Sequence, residues 1–199
     1  MTTKQKQASL DDIAKSIINR QVDIEIAKSC INPVPGEGSA DAELMFIGEA
    51  PGAQEDKEGR PFVGASGKFL AEMLESIGLK REDVYITNIV KFRPPNNRDP
   101  LKDEIEACLP FLIEQIKAIQ PKLVVFLGRH SMNVFFPELK ISEAHGKAIK
   151  KTVKFGNDLK LEQVFLPLYH PAAALYNGSM RTVLQEDFAR IPKILQLIK

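Results

Sequence analysis

Four short runs of apolar, β-branched or aromatic residues, at 44–47, 84–89, 123–127 and 164–168, punctuate a chain whose intervening stretches repeat apolar residues at helical spacing. Each run reads as a buried strand. Phe69, Leu70, Met73, Leu74 and Ile77 predict a helix over 66–77; Ile105, Cys108, Leu109, Leu112 and Ile116 predict another over 103–119. A further helix follows Gly128, with Met132, Val134 and Phe135, and a last one runs from about 182 to 197. Near the start, Ser9 with Asp12 three residues on reads as a capping pair for a helix continuing to about Lys28. Residues 32–41 hold two prolines and two glycines and predict a loop; 146–161 predicts a weak hairpin around Gly156, Asn157 and Asp158. Strands alternating with helices argue for an α/β fold of βαβ units, with a parallel sheet covered on both faces.

Composition narrows the class without naming a partner. The 199 residues are 44% hydrophobic and 27% charged, as expected of one globular domain, and no linker or repeat divides them. The expected organisation is an N-terminal helix and loop, 1–35, packed on a domain over 36–199. Lys and Arg total 27 against 26 acidic residues, so any nucleic-acid contact rests on a local basic surface. There is no apolar run of membrane-spanning length and no secretory h-region near the start, so a cytoplasmic protein without membrane contact is expected. Two cysteines, Cys30 and Cys108, are too few for a disulfide framework or an all-cysteine metal site.

Ligands of open α/β sheets bind beyond the carboxyl ends of the strands, and here those ends carry the unusual residues. The first strand leads into Gly48, Glu49, Ala50, Pro51 and Gly52, then Glu55, Asp56 and the Gly59–Gly64 loop with Arg60, Pro61 and Phe62. The second carries Thr87 and Asn88, then Lys91, Arg93 and Arg98; the third stops at Gly128; the fourth ends in Tyr169, His170 and Pro171. Singly, each has a plainer reading: a tight turn, loop charges, a strand-end amide paired with backbone, a core phenylalanine, a structural histidine. His130 and His145 read as structural or surface residues. Carboxylates, an amide, an imidazole and an aromatic ring on one rim are harder to dismiss together.

The blocks GEAPGAQEDKEGRPFVGASGKFL, VYITNIVKFRPPNNRDP and LYHPAAAL resemble, in order and spacing, the three motif regions of the uracil-DNA glycosylase superfamily, and family 4 most closely. The resemblance covers about 36–187. It implies a three-layer αβα sandwich around a central four-stranded parallel sheet, and removal of uracil from DNA. It also implies a [4Fe-4S] cluster on four cysteines, from which this chain departs. Phe92 stands at the third ligand position, Cys108 at the fourth, the N-terminal pair aligns near Ile24 and Ala27, and Cys30 lies about three residues past the expected second ligand. With one matching cysteine no cluster is expected, and packing of the replacements takes over its structural work.

The resemblance also assigns roles. The flipped base would stack on Phe62, with Pro61 fixing the ring, and be read by the Asn88 amide at N3–H and O4. His170 would donate to the developing charge at O2, assisted by the backbone of Gly48, Glu49, Ala50, Pro51 and Gly52. Ala50 stands where better-known members carry an assisting aspartate; Glu55 is favoured to position water, with Glu49 organising the loop. Lys91, Arg93 and Arg98 would contact phosphates, Lys147, Lys150, Lys151 and Lys154 form a second basic group, and Leu175 with Tyr176 would fill the gap left by the flipped base. The expected partner is uracil-containing DNA, single- or double-stranded, bound by a monomer. Two alternatives stay open: a non-catalytic DNA-binding member of the fold, and a glycosylase for another damaged base. A variant trapping its product through a histidine in the loop after the second strand is disfavoured, because Asn96, Asn97 and Arg98 occupy that loop.

Overall fold

Alternate residues of the apolar runs face opposite sides of one sheet, which is why the strands carry no polar face. Met45, Ile47, Val124 and Phe126 enter one core; Leu44, Phe46, Leu123, Val125 and Leu127 enter the other. The computed structural model describes residues 1–155 and 159–198, with backbone alone for 154, 155 and 159–161. Its six strands are β1 (Glu37–Gly38), β2 (Leu44–Gly48), β3 (Tyr85–Asn88), β4 (Leu123–Leu127), β5 (Ile149–Phe155) and β6 (Leu159–Leu168), in the order β1-β3-β2-β4-β6-β5. The inner four, β3, β2, β4 and β6, are mutually parallel as expected; β1 and β5 add antiparallel edges. The two-residue β1 has no periodicity from which it could have been read.

Helices cover both faces and make the third layer. Helices α1 (Thr3–Ile18), α2 (Glu25–Ser29), α5 (Lys102–Ile119) and α6 (Arg129–Phe135) bury Leu10, Ile17, Ile26, Leu112, Ile116 and Met132 on one side. On the other lie α4 (Ala65–Ser76), α8 (Pro171–Tyr176), α9 (Gly178–Ala189) and α10 (Ile191–Leu197), with Phe69, Leu70, Leu184, Phe188 and Ile191 buried. The short α3 (Ala53–Glu58) sits after β2, and α7 (Ile141–Ala144) precedes β5. Among the described residues no helix is long and apolar enough to cross a membrane.

Three expectations are corrected. The N-terminal helix is not capped by Ser9 and does not reach Lys28. Thr2 and Gln5 form the capping box, Ser9 Oγ bonds back to the Gln5 carbonyl at 3.1 Å, and the chain breaks after Ile18 before restarting at Glu25. Arg20, at φ 51°, fixes the break by donating to the carbonyls of Ala27 (2.6 Å) and Cys30 (3.3 Å). The last helix is two, because Pro192 lacks the N–H that would continue α9 into α10. The strand expected at 164–168 begins at Leu159, where it pairs with β5 as the predicted hairpin; the turn at 156–158 lies outside the described residues.

Candidate active site

The carboxyl ends of β2, β3 and β6 open onto a cavity of about 390 Å³ lined by Glu49 to Gly52, Glu55, Phe62, Asn88, Arg98, Asp99 and His170, among others. Gly48 lies against two of its lining residues, Asn88 and Phe62. It lies beside Asn88 in the β2–β3 register, and a Cβ there would fall 2.3 Å from Asn88 Oδ1 and 2.6 Å from Phe62 Cζ. The absence of a side chain at Gly48 is what lets the ring and the amide approach each other.

Phe62 is buried and stands at φ 51°, a left-handed conformation that costs a phenylalanine about 1–3 kcal/mol. Its neighbours hold it there. Arg81 donates to the carbonyls of Phe62 (3.0 Å) and Pro61 (2.7 Å), and Glu55 Oε1 accepts from the amides of Val63 and Gly64, both at 3.0 Å. From α4, Gly67 lies so close that a Cβ would sit 1.7 Å from the Phe62 carbonyl oxygen. The ring stacks on His170 with centroids 5.7 Å apart. Arg81 was not singled out in the sequence, because a solvent-side arginine before a strand carries no local signal of a clamp on a loop 19 residues away.

His170 is the N-cap of α8, and its Nδ1 accepts from the Ala172 amide at 3.1 Å. That contact places the ring hydrogen of the neutral imidazole on Nε2. Burial pushes the pKa down to about 4, so the imidazole is neutral at physiological pH and acts as a donor without carrying charge.

The two glutamates keep different partners. Organising the loop, expected of Glu49, falls to Glu55, whose Oε1 takes both amides and whose Oε2 lies over Gly52. Glu49, on the opposite wall, faces His130 Nδ1 across 3.9 Å; burial raises its carboxyl, with Asp99 adding to the rise and His130 and Arg129 opposing it. Asp56 is structural: its Oδ1 accepts from the amides of Ile31 (2.9 Å) and Asn32 (3.2 Å).

Lys91 does not reach the surface, which corrects its expected contact with phosphate. It is fully buried, and Nζ donates to Thr87 Oγ1 (2.7 Å), the Asn88 carbonyl (2.7 Å) and Gln115 Oε1 (2.8 Å). Three ammonium donors thus meet three acceptors behind the Asn88 backbone, while burial pulls the pKa down to about 7. Arg98 is exposed at the mouth but forms a two-pronged pair with the nearly buried Glu104, at 2.8 and 2.6 Å; Arg93 donates to Asn97 Oδ1 at 2.8 Å. In the second basic group, Lys150 pairs with Glu162 and Lys151 with Glu138, Lys147 donates to the Glu143 carbonyl, and the Lys154 side chain lies outside the description. Leu175 and Tyr176 stand exposed at the end of the helix that His170 caps, Tyr176 at 91%.

The residues at the family's cluster positions do not supply a cluster's ligands. Ile24, Ala27, Phe92 and Cys108 pack with Cys30 in one hydrophobic core, and only the two cysteines carry sulfur. Burial pushes the Cys108 thiol up to about 11 and raises Cys30. Two protonated thiols among hydrocarbon side chains do not fit a four-thiolate cluster.

A mostly parallel α/β sheet whose strand ends open onto a pocket with an aromatic face, an amide and a neutral imidazole defines a protein with a stacking surface and hydrogen-bond partners for a planar ligand. Comparison with known proteins agrees with that class. Residues 35–195 match the family described as the uracil DNA glycosylase superfamily, and the chain belongs to it. It is 52% identical over 169 residues to a type-4 uracil-DNA glycosylase of Sulfurisphaera tokodaii, covering 82% of this chain and 74% of that one. It is 46% identical to the type-4 enzyme of Archaeoglobus fulgidus, covering 94% and 93%, and 40% identical to that of Thermotoga maritima, covering 83% and 84%.

Proposed function

We propose that this chain is a uracil-DNA glycosylase that hydrolyses the N-glycosidic bond of a uracil flipped out of DNA, and that it does so without an iron–sulfur cluster. The observation that carries the reading is the junction of Phe62, Asn88 and the Nε2–H face of His170 around one cavity, with Gly48 leaving room for the ring and the amide.

In this reading the flipped uracil lies against Phe62, a stacking contact worth roughly 1–3 kcal/mol. The Asn88 amide presents an acceptor to N3–H and a donor to O4; cytosine would set its amine against that donor. As the bond between C1′ and N1 breaks, its electron pair passes to the base, and His170 Nε2–H donates to the charge gathering at O2. Preorganised donors of this kind contribute a few kcal/mol. Water adds its oxygen to C1′ and yields its proton to Glu49, whose carboxylate burial makes a stronger base than an exposed one. Leu175 and Tyr176 fill the vacated stack, and Arg93 and Arg98 hold flanking phosphates while their carboxylate and amide partners keep them oriented.

The test is excision from uracil-containing oligonucleotides, single-stranded and opposite guanine, by wild type, Asn88→Ala and His170→Ala, with iron assayed in the purified protein. Abasic product that collapses in both variants, from an iron-free protein, is expected. DNA binding without product on either substrate would instead favour a non-catalytic member of the fold, and stoichiometric iron would overturn the cluster-free reading.

A further inference from the structure

Beside the pocket, His130 on α6 lies between two carboxylates on different segments. Its Nδ1 is 3.9 Å from Glu49 Oε1, after β2, and its Nε2 is 3.5 Å from Asp99 Oδ2, in the loop after β3. Glu49, Asp99 and His130 bring ligand-type atoms within 4.8 Å of one another. Opposite ring nitrogens approach the two carboxylates, Nδ1 towards Glu49 and Nε2 towards Asp99. A further contact sets the tautomer. Arg129 Nε donates to His130 Nε2 at 3.1 Å, which makes Nε2 an acceptor and leaves the hydrogen of the neutral ring on Nδ1, on the Glu49 side.

We propose that His130 is a positioning residue for Glu49: a bridge from Arg129 through the imidazole presents the Nδ1–H to the carboxylate that receives the proton of the attacking water. The inference rests on the role given to Glu49 above. Geometry supplies the reason for the bridge. Glu55, on the other wall, has Oε1 committed to two amides, whereas Glu49 looks across the mouth toward a ring whose hydrogen points back at it. Asp99 sits one residue from Arg98 at the pocket mouth, with Oδ2 3.5 Å from His130 Nε2. The charged groups around Glu49 are His130 and Arg129 from α6, Asp99 and Arg98 from the loop, Lys102 and Glu106 from α5 along the adjoining groove, and Glu55 with neutral His170 across the cavity. Of these, His130 is the one set 3.9 Å from the carboxylate.

The experiment measures single-turnover excision from a single-stranded uracil oligonucleotide between pH 5 and 9 for wild type, His130→Ala, His130→Gln, Glu49→Gln and the Glu49→Gln/His130→Ala double variant. Both His130 variants should move the acidic limb of the rate profile to higher pH, by about half a unit or more, because the ring donor that faces the carboxylate has been removed. Glu49→Gln should abolish that limb, and adding His130→Ala should slow it no further. In parallel, the Glu49 carboxyl is titrated by carbon-13 NMR in wild type and His130→Ala. Its midpoint should rise in the variant, and this readout holds even for a chain that excises nothing. A pH-independent loss of rate with an unmoved midpoint, or an additive loss in the double variant, would overturn the bridge. A moved midpoint with wild-type rates in Glu49→Gln would retain the electrostatic coupling and remove the catalytic role of Glu49, overturning the proposal at that step. Absence of excision in wild type would count against the glycosylase reading alone.

Discussion

Replacing Gly48 by alanine tests whether the pocket depends on bare backbone behind Asn88 and Phe62. The backbone there needs no left-handed conformation, so the cost of a methyl group lies in what it touches. An added Cβ would fall 2.3 Å from Asn88 Oδ1, 2.6 Å from Phe62 Cζ and 2.8 Å from Phe62 Cε2. Ordinary contact is about 3.5 Å, so the amide must retreat by about 1.2 Å and the ring by about 0.9 Å. Neither moves freely: Phe62 is clamped by Arg81, Glu55 and Gly67, and the Asn88 backbone is held by Lys91. Misplacement by about 1 Å costs on the order of 100-fold in rate, and overpacking of this kind costs about 1–3 kcal/mol of stability. Gly48→Ala should therefore melt a few degrees lower, remain folded at assay temperature, and excise uracil about 100-fold more slowly under single-turnover conditions. A folded variant with a wild-type rate would refute the claim that the ring and the amide are positioned through Gly48.

Arg81→Ala removes the donors that hold the Pro61 and Phe62 carbonyls, and should lower excision about 10- to 100-fold with a larger effect on rate than on DNA affinity; an unchanged rate would show that Glu55 and Gly67 suffice. Lys91→Ala should destabilise the fold by about 1–3 kcal/mol, by leaving Gln115 and the Asn88 carbonyl without their donor, yet leave the salt dependence of DNA binding unchanged; a shallower salt slope would place Lys91 on phosphate after all. Because the pKa of folded Lys91 is about 7, below its ordinary 10.5, the unfolded chain holds more protons between those values, so this group's contribution to stability rises with pH through that window and is lost as pH falls; Lys91→Met should flatten that slope in thermal melts. For His170, with a folded pKa of about 4 against 6.5, protonation of the unfolded chain costs stability as pH falls from about 6.5 to 4. Melting temperatures of His170→Gln should fall less steeply than wild type over that range, and an equal slope would indicate a ring that titrates normally.

The sequence by itself determined the layered sheet and most of the pocket. Runs such as 123–127 carry no polar residue, so they can only be central strands, and the helical spacing of 66–77 and 103–119 fixed what covers them. Gly48, Phe62, Asn88 and His170 were legible because strand ends in a parallel sheet converge on one rim whatever the details of the loops. What the sequence left open depends on partners far apart in the chain. Glu55 and Glu49 are both acidic loop residues, and only the fold ties Glu55 to the Val63 and Gly64 amides and sets Glu49 against His130. Lys91 reads as a surface cation because lysine is costly to bury, and only tertiary structure brings Gln115, Thr87 and the Asn88 carbonyl around it. His130 had no local signal at all, since its two carboxylates come from segments about 80 and 30 residues away in a chain that must fold before they meet. Periodicity and turn chemistry are local and can be read along the chain; the electrostatic environment of a side chain is set by its neighbours in space, which only the folded structure assembles.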